Sequence, residues 1–354
     1  MRDGFIVIDA DGHAGDLEPM YRQRLPEQYR KRMSVGGSGD TFDRRQNGTI
    51  PFRSTSLEQN LADNDLQGID VQVLYPTGGL GLSRIREHDY SIAFARTYND
   101  WLSEYCAENP KRIKGVAIVP IHVDVQESIR ELERAVEKLG LVGVMLNSFI
   151  RDRNVAHPDF WPFYEACDRL GVAIGFHSSG GDAMDPVAHF DNLLAMHTFS
   201  HAPEQLLCCT AVIYSGLLEK FQNIRVAFLE AGAGWVPFWM ERMDGEWARR
   251  KFDAPLLQDY PSAYMKCGRV YVSCEPEEKT LSYVAEWIGA DQLLFPSDYP
   301  HWDGAFPNSV EELSERDDVS EELKRKIFFD NPQRLYELTV DPADFQVPVK
   351  VGLA

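Results

Sequence analysis

The stretch "VIDADGHAGD", residues 7–16, sets Asp9, Asp11, His13 and Asp16 among small residues directly after an apolar run. Carboxylates and an imidazole so close together form an N/O donor set suited to a divalent cation such as Zn, Mn or Fe. An Asp- and Gly-rich turn with a solvated histidine fits the same letters, so the decapeptide alone does not decide. Other chemistry-bearing residues stand in the same context further along. His177 closes "GVAIGFH", Glu230 closes "IRVAFLE", Glu275 closes "GRVYVSCE" and Asp298 closes "DQLLFPSD". Gathered at one place, these groups can hold one or two ions, which lower the pKa of bound water and polarise a carbonyl.

What must position them is a set of eight short apolar runs beginning at Phe5, Val71, Gly115, Leu141, Gly171, Ile224, Gly268 and Asp291. Each is apolar at nearly every position and rich in β-branched residues, the signature of strands buried on both faces. Between them lie amphipathic stretches. "DVQESIRELERAVEKLG" opens on Asp124 and closes on Gly140, residues 159–171 end on Gly171, and residues 91–109 stop before Pro110. Eight strands alternating with helices predict parallel βαβ units and a (β/α)8 TIM barrel, in which the C-terminal strand ends converge on one mouth. Strands one, five, six, seven and eight then each present an imidazole or a carboxylate there. Residues 17–65 and 178–223 predict long loops after strands 1 and 5, over the same face. No linker interrupts the pattern, which predicts one domain over residues 1–354.

The net charge of −19 argues against nucleic acid and anionic membrane as partners. No apolar run approaches a membrane span, and Met1 leads through Arg2 and Asp3 into the first strand without a leader pattern. The six cysteines show neither CxxC pairs nor small-scaffold spacing and read as reduced, mostly buried thiols. Together these predict a cytoplasmic protein acting on a small molecule.

The strand-one D-x-[H/D]-x-H order, the strand-five histidine and the strand-eight aspartate resemble the amidohydrolase superfamily. "WPFYEACDRLGVAIGFH", "YSGLLEKFQNIRVAFLEAGAGWVPFWMERMD", "LLFPSDYPHWD" and "DNPQRLYEL" narrow the likeness to the branch that includes aminocarboxymuconate semialdehyde decarboxylase and resorcylate-type decarboxylases. By this resemblance Asp11 replaces the family's first histidine, His13 is the second, His177 is the strand-five ligand and Asp298 the strand-eight aspartate. It implies a divalent metal held by His13, His177 and one or both of Asp11 and Asp298; to these the reading of the residues adds Glu230 as a further metal ligand, and takes Asp298, Glu230 and His201 as the catalytic groups. The activity implied is hydrolysis or non-oxidative decarboxylation of a small carboxylic acid or carbonyl compound through metal-activated water. Three departures stand out. Asp11 is an acid, Glu230 stands where the decarboxylases commonly carry a histidine, and the strand-four end "MLNS" offers Asn147 instead of a lysine for a carbamate bridge. An imidazole acid then has to come from His197, His201 or His301. The carboxylate-rich set also resembles nonheme iron sites, so the alternative is a (di)iron monooxygenase on this fold acting on a bulky apolar substrate such as a terpenoid.

Other features read more plainly. His197 and His201, four apart, share a helix face, and His201 is the one read as facing substrate. His88, His122, His157 and His189 read as ordinary. "TGGLG" and "SSGGD" read as rim loops, the first letting backbone approach the substrate. Trp235, Phe238 and Trp239 form an apolar helix face that predicts core packing or a homodimer contact, and Arg242 reads as one half of an ion pair.

Overall fold

A computed structural model of the chain describes residues 4–32, 56–178, 190 and 192–345. Eight parallel strands pair in sequence order: β1 Ile8–His13, β2 Val71–Tyr75, β3 Ile113–Ile118, β4 Gly143–Asn147, β5 Ala173–His177, β6 Arg225–Phe228, β7 Val270–Ser273 and β8 Leu293–Leu294. Every residue of β1, β2, β4, β5 and β7 is buried, which explains the unbroken apolar runs. Past β8 the chain bonds back to β1 and closes the ring. Ala10 N–H donates to the Phe295 carbonyl at 2.9 Å, Asp298 N–H to Asp11 at 3.0 Å and His13 N–H to Tyr299 at 2.8 Å. The architecture is the (β/α)8 barrel.

The helices used below are α1 Leu57–Gln67, α2 His88–Glu108, α3 Val125–Glu137, α4 Trp161–Leu170, α5 Leu193–Tyr214 and α6 Val236–Arg250. The Asp124 carboxylate caps α3 by accepting from Glu127 N–H, a bond that stabilises the helix by about 1 kcal/mol. Gly171 ends α4 at φ +63°, where a side chain would be strained. Helix α2 starts three residues ahead of the stretch read from sequence, and α5 runs through Pro203 to Tyr214. The barrel floor is filled by tyrosine. Tyr75 crosses to β5, where a Cβ on Gly175 would lie 2.2 Å from its hydroxyl, and it donates to Tyr336, which donates to the Ala10 carbonyl.

Both long loops lie partly outside the described residues, as do Gly180, Gly181 and His189. The "TGGLG" turn is tied to Asp16: the buried Asp16 carboxylate accepts from Thr77, Gly78 and Gly79 N–H and from the Tyr21 hydroxyl. A Cβ on Gly78 would stand 2.4 Å from the Asp16 carbonyl, so the glycine serves this packing.

Candidate metal centre at the barrel mouth

Strand β1 carries Asp11 and His13 to the mouth, β5 ends on His177, and the residues just past β6 and β8 supply Glu230 and Asp298. All five converge. His13 Nε2 lies 3.0 Å from Asp298 Oδ1 and 3.9 Å from Asp11 Oδ1, and His177 Nε2 lies 3.1 Å from Glu230 Oε2. The His13 and His177 rings meet edge-on, with centroids 5.1 Å apart. Donor atoms of Asp11, His13 and His177, and likewise of His13, Glu230, Asp298 and His301, lie within 4.8 Å of one another.

Glu230 and Asp298 share a backbone peculiarity. Their φ angles are +53° and +52°, a left-handed conformation that costs a non-glycine residue about 1–2 kcal/mol. Each is held there by a long-range bond. Glu230 N–H donates to Ser273 Oγ at 2.9 Å, and Asp298 N–H to the Asp11 carbonyl. Strain of this kind persists where a side chain must be aimed, and here it aims both carboxylates at the two imidazoles.

The imidazoles are oriented as metal ligands are. His13 Nδ1 bonds the Pro76 carbonyl at 2.9 Å and His177 Nδ1 the Ser178 carbonyl at 2.8 Å. A neutral ring that donates from Nδ1 presents the Nε2 lone pair inward. Asp11 Oδ1, His13 Nε2, His177 Nε2, His201 Nδ1 and Glu230 Oε2 are buried without a hydrogen-bond partner. Buried polar atoms are normally satisfied, so five orphans around one point fit a bound cation. Asp9, which shares the opening motif, is different: four donors saturate its carboxylate.

Charges in the cluster respond to burial and to each other. Burial, with the Glu230 and Asp298 charges, drives the Asp11 carboxyl well above its ordinary range despite the neighbouring His13. Glu230 is likewise pushed well up by burial, Asp298 and Asp303. Glu275 is pushed up to about 8 by burial and by Asp298. Asp298 goes the other way. Burial opposes its charge, but the His301 and His13 imidazoles beside it hold it well below the usual carboxylate range. Burial and then His13 keep His177 neutral. A divalent ion would reverse the penalties on Asp11 and Glu230.

Two residues of the site carry weaker sequence signals. His301 stacks on His13 at 3.9 Å, bonds Asp298 Oδ1 at 3.1 Å through Nδ1 and contacts Thr77 Oγ1 through Nε2; its only mark in the sequence is its place three residues after Asp298. Asp303, unmarked, pairs with His197 at 2.9 Å. His201 Nδ1 stands 3.3 Å from Glu230 Oε2, and the two histidines of α5 lie side by side as their spacing requires. A cavity of about 310 Å³ opens over the cluster, lined in part by Asp11, His201, Glu230, Glu275, Asp298 and Asp303. No lysine or arginine among the described residues lines it.

The plainer readings hold elsewhere. His122 is buried against the Ile85 carbonyl, His157 caps the short turn at Pro158, His88 sits between Asp89 and Asp124, and Arg242 pairs with Glu246. Trp235 and Trp239 pack on the core while Phe238 is exposed. Cys274 is a buried thiol raised well above its ordinary value by burial, unsuited to nucleophilic attack. No helix among the described residues is long and apolar enough to cross a membrane.

The family profile described as Amidohydrolase matches residues 8–338. The chain is 27% identical over 285 residues to a gamma-resorcylate decarboxylase of Polaromonas sp., covering 77% of this chain and 85% of that protein. It is 28% identical over 257 residues to the 2-amino-3-carboxymuconate-6-semialdehyde decarboxylase of Dictyostelium discoideum, covering 70% and 68%. A solved 5-carboxyvanillate decarboxylase from Novosphingobium aromaticivorans, complexed with manganese, superposes with a TM-score of 0.76 at 22% identity over 95% of this chain and 97% of that one. The family match and the two decarboxylase relatives bear out an enzyme of the hydrolase and decarboxylase kind, and the donor groups gathered at the mouth suit a divalent metal. The relatives lend no support to the oxygenase alternative.

Proposed function

The chain belongs to the amidohydrolase family, and from that premise we propose that it is a non-oxidative decarboxylase of a small aromatic carboxylic acid. The relatives named above supply the reaction class. The observation that carries the site is the convergence of five orphaned donor atoms from β1, β5, the end of β6 and α5.

In this reading Asp11, His13, His177 and Asp298 would hold the divalent cation, with Glu230 on its open side. When bound, the cation supplies a Lewis acid for the substrate's oxygen atoms and a bound water of lowered pKa. Asp298, kept anionic between His13 and His301, would accept a hydrogen bond from such a water and hold it in line. His201, at the cavity wall, hands a proton to the ring carbon as its bond to the carboxylate carbon breaks and carbon dioxide leaves. Glu230, in contact with His201 and protonated more readily than an ordinary glutamate, returns the proton to the imidazole. The Glu230–His201 pair thus does from strand six and α5 what the resemblance assigns to one strand-six histidine. Glu230 regains its proton from solvent through the cavity, so one proton is taken up for each carbon dioxide released.

The same reading has residues 1–354 as one catalytic domain, working in the cytoplasm as a homodimer through the face that exposes Phe238, without nucleic acid or membrane partners. Protein purified without chelator should contain zinc, manganese or iron and release carbon dioxide from a hydroxybenzoate panel without consuming oxygen. Oxygen uptake coupled to turnover, or full activity in the metal-stripped protein, would refute it.

A further inference from the structure

We propose that Asp9 is a positioning residue: its carboxylate closes the β8–β1 seam and thereby fixes the direction of Asp298. The inference rests on the reading of Asp298 as a metal-site residue. Between the seam bonds Ala10 N–H to Phe295 and Asp298 N–H to Asp11, the intervening donor, Ser297 N–H, finds the Asp9 side chain at 2.9 Å and not a backbone carbonyl. Ser297 Oγ donates to the same carboxylate at 2.5 Å and accepts from Tyr299 N–H at 3.1 Å. Asp9 thus grips the residue before Asp298 twice and, through Ser297 Oγ, the residue after it once. Asp298, at φ +52°, sits between these anchors.

The brace continues outward. Gln72 Nε2 donates to Asp9 at 2.9 Å, while its carbonyl accepts from Asn60 at 3.0 Å and Asn64 at 3.1 Å. Asp63, on the same helix α1, accepts from the Tyr299 hydroxyl. The buried face of α1 is Asn60, Asp63, Asn64 and Gln67, polar throughout. Asn60, Asp63 and Asn64 all reach this network. A Cβ on Gly12 would lie 2.4 Å from Gln72 Nε2 and 2.5 Å from Asp9 Oδ2, so β1 leaves room for the brace at one position only. Every atom facing Asp9 is a donor, which requires an acceptor-only carboxylate.

The test is Mn²⁺ binding by calorimetry to the full-length, metal-stripped protein well below its Tm, for Asp9→Asn, Ser297→Ala, Ser297→Thr and Asp298→Asn. Asp9→Asn turns one amide N–H toward a donor, and Ser297→Ala removes two bonds. Each should weaken Mn²⁺ binding about 10–100-fold, the range for residues that orient ligands, and Ser297→Thr should restore it. A purely structural Asp9 would lower Tm without moving Mn²⁺ affinity; unchanged affinity in both Asp9→Asn and Ser297→Ala while Asp298→Asn loses it overturns the brace alone. Unchanged affinity in Asp298→Asn overturns the site reading and the brace with it. If Asp9→Asn does not fold, Ser297→Ala and its threonine rescue carry the same decision.

Discussion

At the foot of the barrel three arginines turn their guanidinium groups onto backbone carbonyls, whereas at the mouth imidazoles and carboxylates face one another with no partner between them. Arg112, at the start of β3, donates to Ile69 and Asp70 ahead of β2. Arg225, at the start of β6, donates to Gly171 ahead of β5 and to Leu335. Arg269, at the start of β7, donates to Leu218 and Phe221 ahead of β6. Each stitches the foot of one strand to the approach of the strand before it. The mouth does the opposite: five buried donor atoms are left open. Satisfied polar groups stabilise and unsatisfied ones wait for a ligand, so the two ends divide stability from chemistry.

The comparison breaks most visibly at His177. His177→Ala should lower kcat by more than about 10³-fold, about 4 kcal/mol, and lower bound metal, while Tm measured on the metal-free protein stays close to the parent; retained metal content would count against the division. Arg225→Ala should do the reverse. It leaves the Gly171 and Leu335 carbonyls without their donor and should cost about 3 kcal/mol of stability in denaturant unfolding, with Mn²⁺ affinity unmoved.

His122 sharpens the contrast within the histidines, because it is buried near the mouth but satisfied by the Ile85 carbonyl. Burial lowers its pKa to about 4, below the ordinary 6.5, so the unfolded chain binds the extra proton. Stability it contributes is complete above pH 6.5, falls as pH drops below that and is lost through pH 4. His122→Gln should therefore flatten the stability profile between pH 6.5 and 4 by about 3 kcal/mol, without a metal phenotype. The smallest change in stability is expected at Glu230. Glu230→Gln replaces a buried carboxyl whose ionised form Asp298 repels, so at a pH where that form is populated the metal-free protein should gain about 1 kcal/mol, while turnover collapses. A destabilised metal-free variant would mean that the mouth carries no such tension.

The barrel was legible because strands buried on both faces have no polar alternation to disguise them, and because Gly140 and Gly171 punctuate the helices. His13, His177 and Asp298 were legible because each closes an apolar run. His301 was harder, since its role depends on stacking against a residue at the other end of the chain, which no local pattern encodes. Asp9 misleads for the complementary reason. It has the composition of a ligand, and only Ser297 and Gln72, distant in sequence, show that its lone pairs are spent. The bonds from "TGGLG" to Asp16 were hidden for the same reason, since the two segments are some sixty residues apart in the chain.

The seam between the first and last strands carries a consequence for how the enzyme matures. Ser297 and Asp9 are 288 residues apart in the chain, and the groups beside them, Asp298 and Asp11, belong to one cluster. A ribosome that has released β1 through β7 has made His13 and His177 but not the wall that completes their surroundings. A chain that ends before β8 carries Asp11, His13, His177 and Glu230 but lacks Asp298 and the seam bonds, so the cluster is complete only once the ring has shut.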